Sequence, residues 1–188
     1  MLKLVCGVGI NDKKDHWDTR EYKLWANMLA RCYREGTKIK QESYKDCTTS
    51  EEFKIYSVFY DWCQNQIGFN QPNFELDKDL LVKGNKEYHP DKCVFIPREI
   101  NSFLRTASKS RGDLPIGVRK AKSGGFHARL RNWVGRKHLG TFSTTEQAFK
   151  AYKQAKEAHT KVLANKYKDQ IDPRAYEALM NYKVEETD

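Results

Sequence analysis

Long apolar segments are missing from this sequence. No stretch approaches the roughly 18 consecutive apolar residues of a membrane-spanning helix, and the short apolar run in residues 1–12 lacks the cleavage region of a secretory signal. The cysteines also lack the two-residue spacing typical of zinc sites, and they are an odd number: Cys6, Cys32, Cys47, Cys63 and Cys93. We therefore expect an intracellular, soluble protein with reduced thiols, no membrane partner and no small-molecule cofactor. A zinc site formed by cysteines distant in sequence stays open.

Acidic residues are scarce in one part of the chain. The 188 residues carry a formal net charge of +9, and residues 105–140 contain ten Lys or Arg residues but a single acid, Asp113. The excess in this segment therefore equals the net charge of the whole chain. A solvated surface is the usual explanation of a charged run, but such concentration in one segment predicts a polyanionic partner. Charge alone does not distinguish double-stranded DNA from RNA.

The first half of the chain predicts two helices around a small aromatic core. Apolar side chains at helical spacing predict a helix over residues 21–33, and a polar loop is expected over residues 35–46. Thr49 and Glu52 have the spacing of a capping box, so a second helix is predicted from there to about residue 66. The inward side chains of the first helix are Trp25, Met28, Leu29 and Cys32.

Residues 72–106 predict a strand, a second strand and a helix. Helical periodicity disappears between residues 68 and 97, where the short apolar runs FELD, LLV and CVFIP are separated by Gly, Asn and Pro. The following sequence REINSFLRT resumes helical spacing. A linker with Ser, Lys, Arg, Gly and Pro covers residues 106–115. The sequence therefore predicts two domains, at residues 1–108 and 109–188.

The second domain is predicted to be a three-stranded antiparallel sheet with one helix across one face. The strand candidates are IGVRKA, FHARLR and KHLGTF, with turns at Gly124 and Gly125 and in NWVGR. Ser143 and Glu146 form a predicted capping box, and the alanine-rich stripe that follows allows the helix to lie close to the sheet. Residues 172–188 are expected to form a short helix that frays. The fold class of the whole chain is therefore predicted to be α+β.

Alternation along the middle strand divides its side chains between two faces. Phe126, Ala128 and Leu130 share the face that must meet the helix, because successive side chains of a strand point to opposite sides. The opposite face is then cationic and suits phosphate binding. Its predicted members are His127, Arg129 and Arg131, with Arg119 or Lys120 from the first strand and Arg136 or Lys137 from the third. Trp133 in the turn either stacks on a sugar or covers the sheet edge.

The strings GVR, GFHARLR, HLGTF, EQA and AY, in this order, resemble the APETALA/ethylene-response-factor DNA-binding domain over residues 113–167. That family places a three-stranded sheet in the major groove, so the resemblance implies contacts of Arg119, Arg129 and Arg131 with duplex DNA. Phe126 stands where the family often has Trp, and Arg129 stands where it often has Glu. Base preference is therefore not carried over.

The string LDKDLLVKGNKEYHPDKCVFIPREIN contains a candidate metal site. It places Asp77 at the end of the first strand predicted in residues 72–106, and Asn101 inside the predicted helix. A carboxylate and an amide oxygen are hard ligands that suit Mg²⁺, and they leave open positions for a scissile phosphate. From the residues alone, a surface carboxylate and a helix cap are the commoner explanation of such a pair.

A second resemblance covers residues 7–167. The strings GINDKK, LWANMLARCY, SYKDC, LDKDLL, GNKEYHPDKCVFIP and INSFL resemble phage-encoded HNH homing endonucleases, which pair a ββα-metal (His-Me finger) nuclease with the DNA-binding module described above. The resemblance implies that Asp77 and Asn101 hold Mg²⁺ or another divalent cation. Lys78 occupies the position of the general-base histidine of that family. Either Lys78 is the base, or it contacts phosphate while Asp79 or a second water takes the proton.

These observations together predict a metal-dependent endonuclease that hydrolyses double-stranded DNA. The basic sheet would supply affinity and site recognition, and the protein would act in the host cytoplasm if it is phage-encoded. One alternative is a non-catalytic DNA-binding protein, a regulator or an inactive nuclease, which the missing histidine at position 78 favours. Another is an RNA-binding accessory protein, which follows from charge alone. His89, the histidine near the metal-site candidate, is expected to be a bystander.

Overall fold

The chain has a mixed α+β fold with two compact units. The structure, a computed structural model, describes residues 4–13, 16–40, 44–105 and 113–188. The first unit contains Met1–Ile96 with Gln170–Ala175, and the second contains Pro97–Asp169 with Tyr176–Asp188. The linker from which the domain boundary was predicted falls largely on residues 106–112, which lie outside the described residues.

Short helices and two-stranded sheets make up the first unit. Strand β1 pairs with β3 in parallel, and β2 pairs with β4. The LLV run forms bends between β2 and β3 rather than a strand of its own. The elements are α1 (Arg20–Tyr33), α2 (Glu35–Lys40), β1 (Thr48–Thr49), a 3₁₀ turn (Glu52–Lys54), α3 (Tyr56–Gln64), β2 (Phe74–Asp77), β3 (Glu87–Tyr88) and β4 (Val94–Pro97).

Helix α1 confirms the helix predicted over residues 21–33. The Thr19 side chain caps its first turn by accepting a hydrogen bond from the Tyr22 backbone N–H. The four predicted inward side chains of α1 are all buried. Trp25 also donates its indole N–H to the Phe53 carbonyl at 2.8 Å, so this buried polar group is paired. The periodicity of the sequence therefore located this part of the core correctly.

Two predictions for residues 35–66 were wrong. The predicted polar loop contains the short helix α2, and Thr49 does not cap a helix, because it belongs to β1 and its hydroxyl is bonded to Tyr33. Helix α3 begins only at Tyr56. The chain at Ile10 pairs with the backbone on both sides of Ile55, and this pairing separates the 3₁₀ turn from α3. A contact this distant in sequence has no local signature.

The second unit contains the predicted antiparallel sheet and helix. Its elements are α4 (Arg98–Leu104), β5 (Val118–Lys120), β6 (Phe126–Arg131), β7 (Arg136–Phe142), α5 (Thr145–Tyr167) and α6 (Pro173–Met180), of which the first turn of α6 belongs to the first unit. The sheet order is β5-β6-β7, and all three strands contact α5. Gly117 has a φ of +79°, and a Cβ there would lie 2.0 Å from the Tyr152 ring. The close approach of α5 to the sheet therefore requires glycine at this position.

Two predictions for the second unit need correction. The cap of α5 is Thr144, which accepts a hydrogen bond from the Gln147 backbone N–H, whereas Ser143 was predicted. The tail was expected to fray, but Val184 is fully buried. The Val184 N–H donates to Glu157, and its carbonyl accepts from Lys153. None of the helices that the structure describes is long and apolar enough to span a membrane.

Candidate nucleic-acid interface and metal site

Strand register determines which cations share the outer face of the sheet. Arg119 pairs with His127, while Lys120 pairs with Phe126. On the other side of β6, Arg131 pairs with Arg136, and Leu130 pairs with Lys137. Since paired residues point to the same side of a sheet, Arg119 and Arg136 lie on the outer face, and the two lysines fall in rows that face α5. The register thus assigns Arg119 rather than Lys120, and Arg136 rather than Lys137, to the outer face.

An irregularity in β7 sets this arrangement. Ala128 pairs with Gly140 but Arg129 pairs with His138, so Leu139 is an extra residue in β7. As a result, His138 and Thr141 lie on the same outer face although their numbers differ in parity. We call the resulting surface the basic face, and its members are Arg119, His127, Arg129, Arg131, Arg136, His138 and Thr141.

The arginines of the basic face are exposed and have no carboxylate partner. In the described part of the chain, none of Arg119, Arg129, Arg131 and Arg136 forms a salt bridge or a side-chain hydrogen bond. Two carboxylates of this unit pair with lysines instead, Glu99 with Lys166 and Glu157 with Lys153 and Lys183. Four guanidinium groups therefore remain available to an external anion.

A histidine pair lies at the centre of the basic face. The rings of His127 and His138 meet edge to face with centroids 5.0 Å apart, and His127 Nδ1 lies 2.9 Å from the Thr141 hydroxyl. Shielding from solvent, followed by the nearby charges of Arg129 and His138, lowers the pKa of His127. The neutral form of this imidazole is therefore favoured while the face is free.

The β6–β7 turn carries exposed apolar side chains. Trp133 is 61% exposed and Val134 is 94% exposed. Much of the Trp133 side chain is therefore accessible to a partner, and both predictions for it, stacking on a sugar and cover of the sheet edge, stay predictions.

Asp77 ends β2, as predicted. Its Oδ1 accepts hydrogen bonds from the backbone N–H groups of Asp79 at 2.9 Å and Leu80 at 2.7 Å. Burial raises the pKa of Asp77, these N–H donors oppose the increase, and the negative charge of Asp79 adds to it. The Asp77 carboxylate is a hard oxygen donor, and Mg²⁺ often takes only one or two protein carboxylates.

Lys78 is a buried, paired cation. Only 4% of the residue is exposed, and its ammonium group donates to Asp79 at 2.5 Å and to the Asn85 carbonyl at 2.9 Å. Burial alone would lower the pKa of Lys78, but the hydrogen bond and the charge of Asp79 outweigh burial and raise it. A general-base amine needs a lowered pKa, so this environment opposes the prediction of Lys78 as base. Its burial opposes the phosphate-contact alternative as well.

The other candidates near the predicted metal site are Asn101, on α4, and His89, in the loop after β3. Asn101 is half-buried on α4, in the second unit, and its pairing with Asp77 stays a prediction. His89 accepts a hydrogen bond from the Asp91 N–H and lies 4.0 Å from Glu52. No group of three or more His, Cys, Asp or Glu side chains in the described ranges could hold a metal ion, and the five cysteines are free thiols.

Sequence reasoning missed two residues of these sites. His138 was omitted from the basic face, because the sequence left open whether Arg136 or Lys137 points outward, and His138 shares the face of Arg136. Asn85 was omitted from the Asp77 segment. Its amide donates to the carbonyls of Lys78 and Glu87 and closes the loop that holds Lys78. The Gly84–Asn85 pair was a signal for a turn, but not for the side chain that this turn would hold.

Comparison with known proteins finds no relative of this chain. No family model, no curated protein and no solved structure matches this chain.

Proposed function

We propose that this protein binds double-stranded DNA through the basic face and cleaves it as a metal-dependent endonuclease of the HNH homing type. The observation that carries the binding proposal is the set of four exposed arginines without carboxylate partners on one side of a three-stranded sheet. A rigid antiparallel sheet holds such groups at fixed spacing, and phosphate neutralisation by them gives strong, salt-dependent affinity.

A binding assay with paired variants tests the first step. Fluorescence anisotropy with a labelled 20-bp duplex should show weaker binding by Arg129→Gln/Arg131→Gln, by about tenfold or more, with a salt slope reduced by about 2. The matched control is Lys161→Gln/Lys168→Gln, which removes one exposed charge of α5 and one from the residue that follows it. An equal loss of affinity in both variants would mean that the basic face contributes no more than any other positive charge of the protein. Preference for duplex RNA over duplex DNA would contradict the proposal.

The cleavage step is supported by Asp77 and its surroundings. Strand β2 pairs with β4, the two-residue strand β3 lies between them in the chain, and helix α4 follows β4. This order is compatible with a ββα-metal hook in which Asp77 ends the first strand. The Asp77 carboxylate would supply a hard oxygen ligand. A divalent cation bound there would stabilise the developing charge on the scissile phosphate. The backbone donors of Asp79 and Leu80 keep the Asp77 carboxylate in one orientation.

The experiment for this step compares Asp77→Asn with Asp61→Asn on supercoiled plasmid DNA. Asp61 is an exposed carboxylate on α3, so the control removes the same charge elsewhere in the same unit. We expect Mg²⁺-dependent nicking or linearisation by the native protein and by Asp61→Asn, and at least a hundredfold loss in Asp77→Asn. Circular dichroism would verify that each variant is folded. Equal cleavage by both variants would remove Asp77 from the mechanism.

The environment of Lys78 favours a second function, a DNA-binding protein without nuclease activity. A protonated, buried lysine stands where the resembling family has its general base, and the carboxylate of Asp79, the alternative proton acceptor, is paired with the Lys78 ammonium group. This alternative predicts binding by the basic face and intact DNA with Mg²⁺, Mn²⁺, Co²⁺ or Ni²⁺. Cleavage by the native protein with any of these ions would exclude it.

A further inference from the structure

The β6–β7 turn exposes its apolar side chains in a fixed conformation. Asn132 Oδ1 accepts hydrogen bonds from the backbone N–H groups of Val134 at 3.1 Å and Gly135 at 3.0 Å. The Asn132 N–H in turn donates to the Gly135 carbonyl at 2.8 Å. A turn with these three bonds is closed on itself, and Trp133 and Val134 project from it.

The fold of their own unit leaves most of the surface of these two side chains uncovered. Trp133 is 61% exposed and Val134 is 94% exposed. Trp133 also has no hydrogen-bond or aromatic partner among the residues that the structure describes. Exposed aromatic and aliphatic groups side by side indicate a contact with an external apolar surface.

Charge identifies the class of that surface. Arg131 and Arg136 pair with each other across the strands at the base of the turn, and Arg129 lies one row further back on the same face. An apolar partner surface flanked by negative charge is therefore required. Stacked bases between two phosphate chains have this composition, whereas an apolar protein surface lacks the regular anions.

We propose that Trp133 and Val134 form a wedge that enters duplex DNA between neighbouring base pairs and separates their stack. This inference rests on the proposed binding of DNA by the basic face. The arginines at the base of the turn hold the phosphates on either side of the entry point, and the indole stacks on an exposed base. Apolar wedges of this kind unstack a base step and bend the duplex.

The test uses the full chain and two 16-bp duplexes, one fully paired and one with a central mismatch that contains 2-aminopurine. A wedge should prefer the mismatch severalfold, because less stacking must be broken there. It should also raise the 2-aminopurine fluorescence at saturation. Trp133→Ala should abolish the rise and weaken binding to the mismatched duplex by about fivefold to a hundredfold, the range for lost aromatic–base stacks.

Trp17→Ala is the matched control, because Trp17 is 70% exposed but lies in the first unit. It should behave like the native protein. A fluorescence rise that persists in Trp133→Ala, or binding by the native protein with no rise, would overturn the wedge and leave the binding proposal intact. Failure of the native protein to bind either duplex would overturn both. A concentration-dependent dimer in light scattering that disappears in Trp133→Ala would assign the turn to a protein contact and also overturn the wedge.

Discussion

Lys78 of the first unit and the arginines of the basic face in the second unit lie in opposite environments. The arginines of the basic face are exposed and lack carboxylate partners among the described residues. In the first unit, Lys78 is buried, paired with Asp79 and bonded to the Asn85 carbonyl. The arginines can bind an external anion in place of water, whereas Lys78 has already formed its contacts within the protein. The comparison teaches that a cation in a promising sequence position is a functional candidate only if the fold leaves it unpaired.

The largest effect should come from a substitution that disrupts the packing of the sheet against α5 and leaves the charge of the basic face unchanged. Gly117→Ala places a methyl group against the Tyr152 ring and strains a residue with a φ of +79°. We expect a loss of about 2–4 kcal/mol in the free energy of unfolding, and weaker DNA binding where the second unit is no longer folded. Gly124→Ala is the control, because its φ is +92° but nothing lies within 4 Å. Urea unfolding should show only about 1 kcal/mol for this variant. Equal losses would mean that backbone strain, not the contact with Tyr152, is decisive.

The second-largest effect should be a loss of stability when the buried ammonium group of Lys78 is removed. Lys78→Met keeps the apolar stem but removes the ammonium group from Asp79 and from the Asn85 carbonyl. We expect about 1–3 kcal/mol of destabilisation, since the partly buried Asn85 carbonyl loses its donor. Arg129→Met should change stability by less than about 0.5 kcal/mol, because its guanidinium makes no recorded contact within the described chain. Chemical unfolding of the two variants tests this, and the reverse order would contradict the structural role of Lys78.

A smaller effect on DNA affinity should separate the arginines of the basic face from the neighbouring lysines. Arg119→Gln/Arg136→Gln removes two charges from the outer rows, and Lys120→Gln/Lys137→Gln removes two charges from rows that face α5. The arginine variant should lose about tenfold in affinity for duplex DNA, and the lysine variant about threefold or less. Anisotropy titrations at one salt concentration suffice. Similar losses would show that register does not determine which cations meet the phosphates.

The smallest expected effect is a dependence of DNA affinity on pH. The pKa of His127 lies below its ordinary 6.5 in the free protein, and a nearby phosphate would raise it again. Because the bound pKa is higher than the free one, the extra affinity is present at low pH and is lost as pH rises through the bound value. Between pH 7.5 and pH 5.5 we expect a gain of about two- to threefold, which His127→Asn/His138→Asn should remove. An unchanged profile in that variant would assign the titration to other groups.

The sequence predicted the part of the basic face that depends on local periodicity. Alternation along β6 correctly separated Ala128 and Leu130, which are buried, from Arg129 and Arg131, which are exposed. It could not choose between Arg119 and Lys120, because that choice depends on pairing between strands. The cap of α5 was displaced by one residue for a related reason, since Ser143 and Thr144 carry similar hydroxyl groups and only the backbone decides between them.

The first unit was less predictable because its local structure depends on distant partners. The start of α3 is determined by pairing with Ile10, and the environment of Lys78 is determined by Asn85, seven residues further along the chain. Neither partner follows from spacing or composition. The metal-ligand pair Asp77 and Asn101 came from the resemblance and from the hardness of the two oxygen donors, and it stays a prediction.

The extra residue in β7 also limits how this surface can change by insertion or deletion. Removal of Leu139 would restore strict alternation without changing the pairs that Arg136, Lys137 and His138 form with β6. Arg136 and His138 would stay on the outer face, and Lys137 would stay in a row that faces α5. A change that instead brought Leu139 into the ladder opposite Arg129 would turn Arg136 and His138 towards α5 without replacing any side chain.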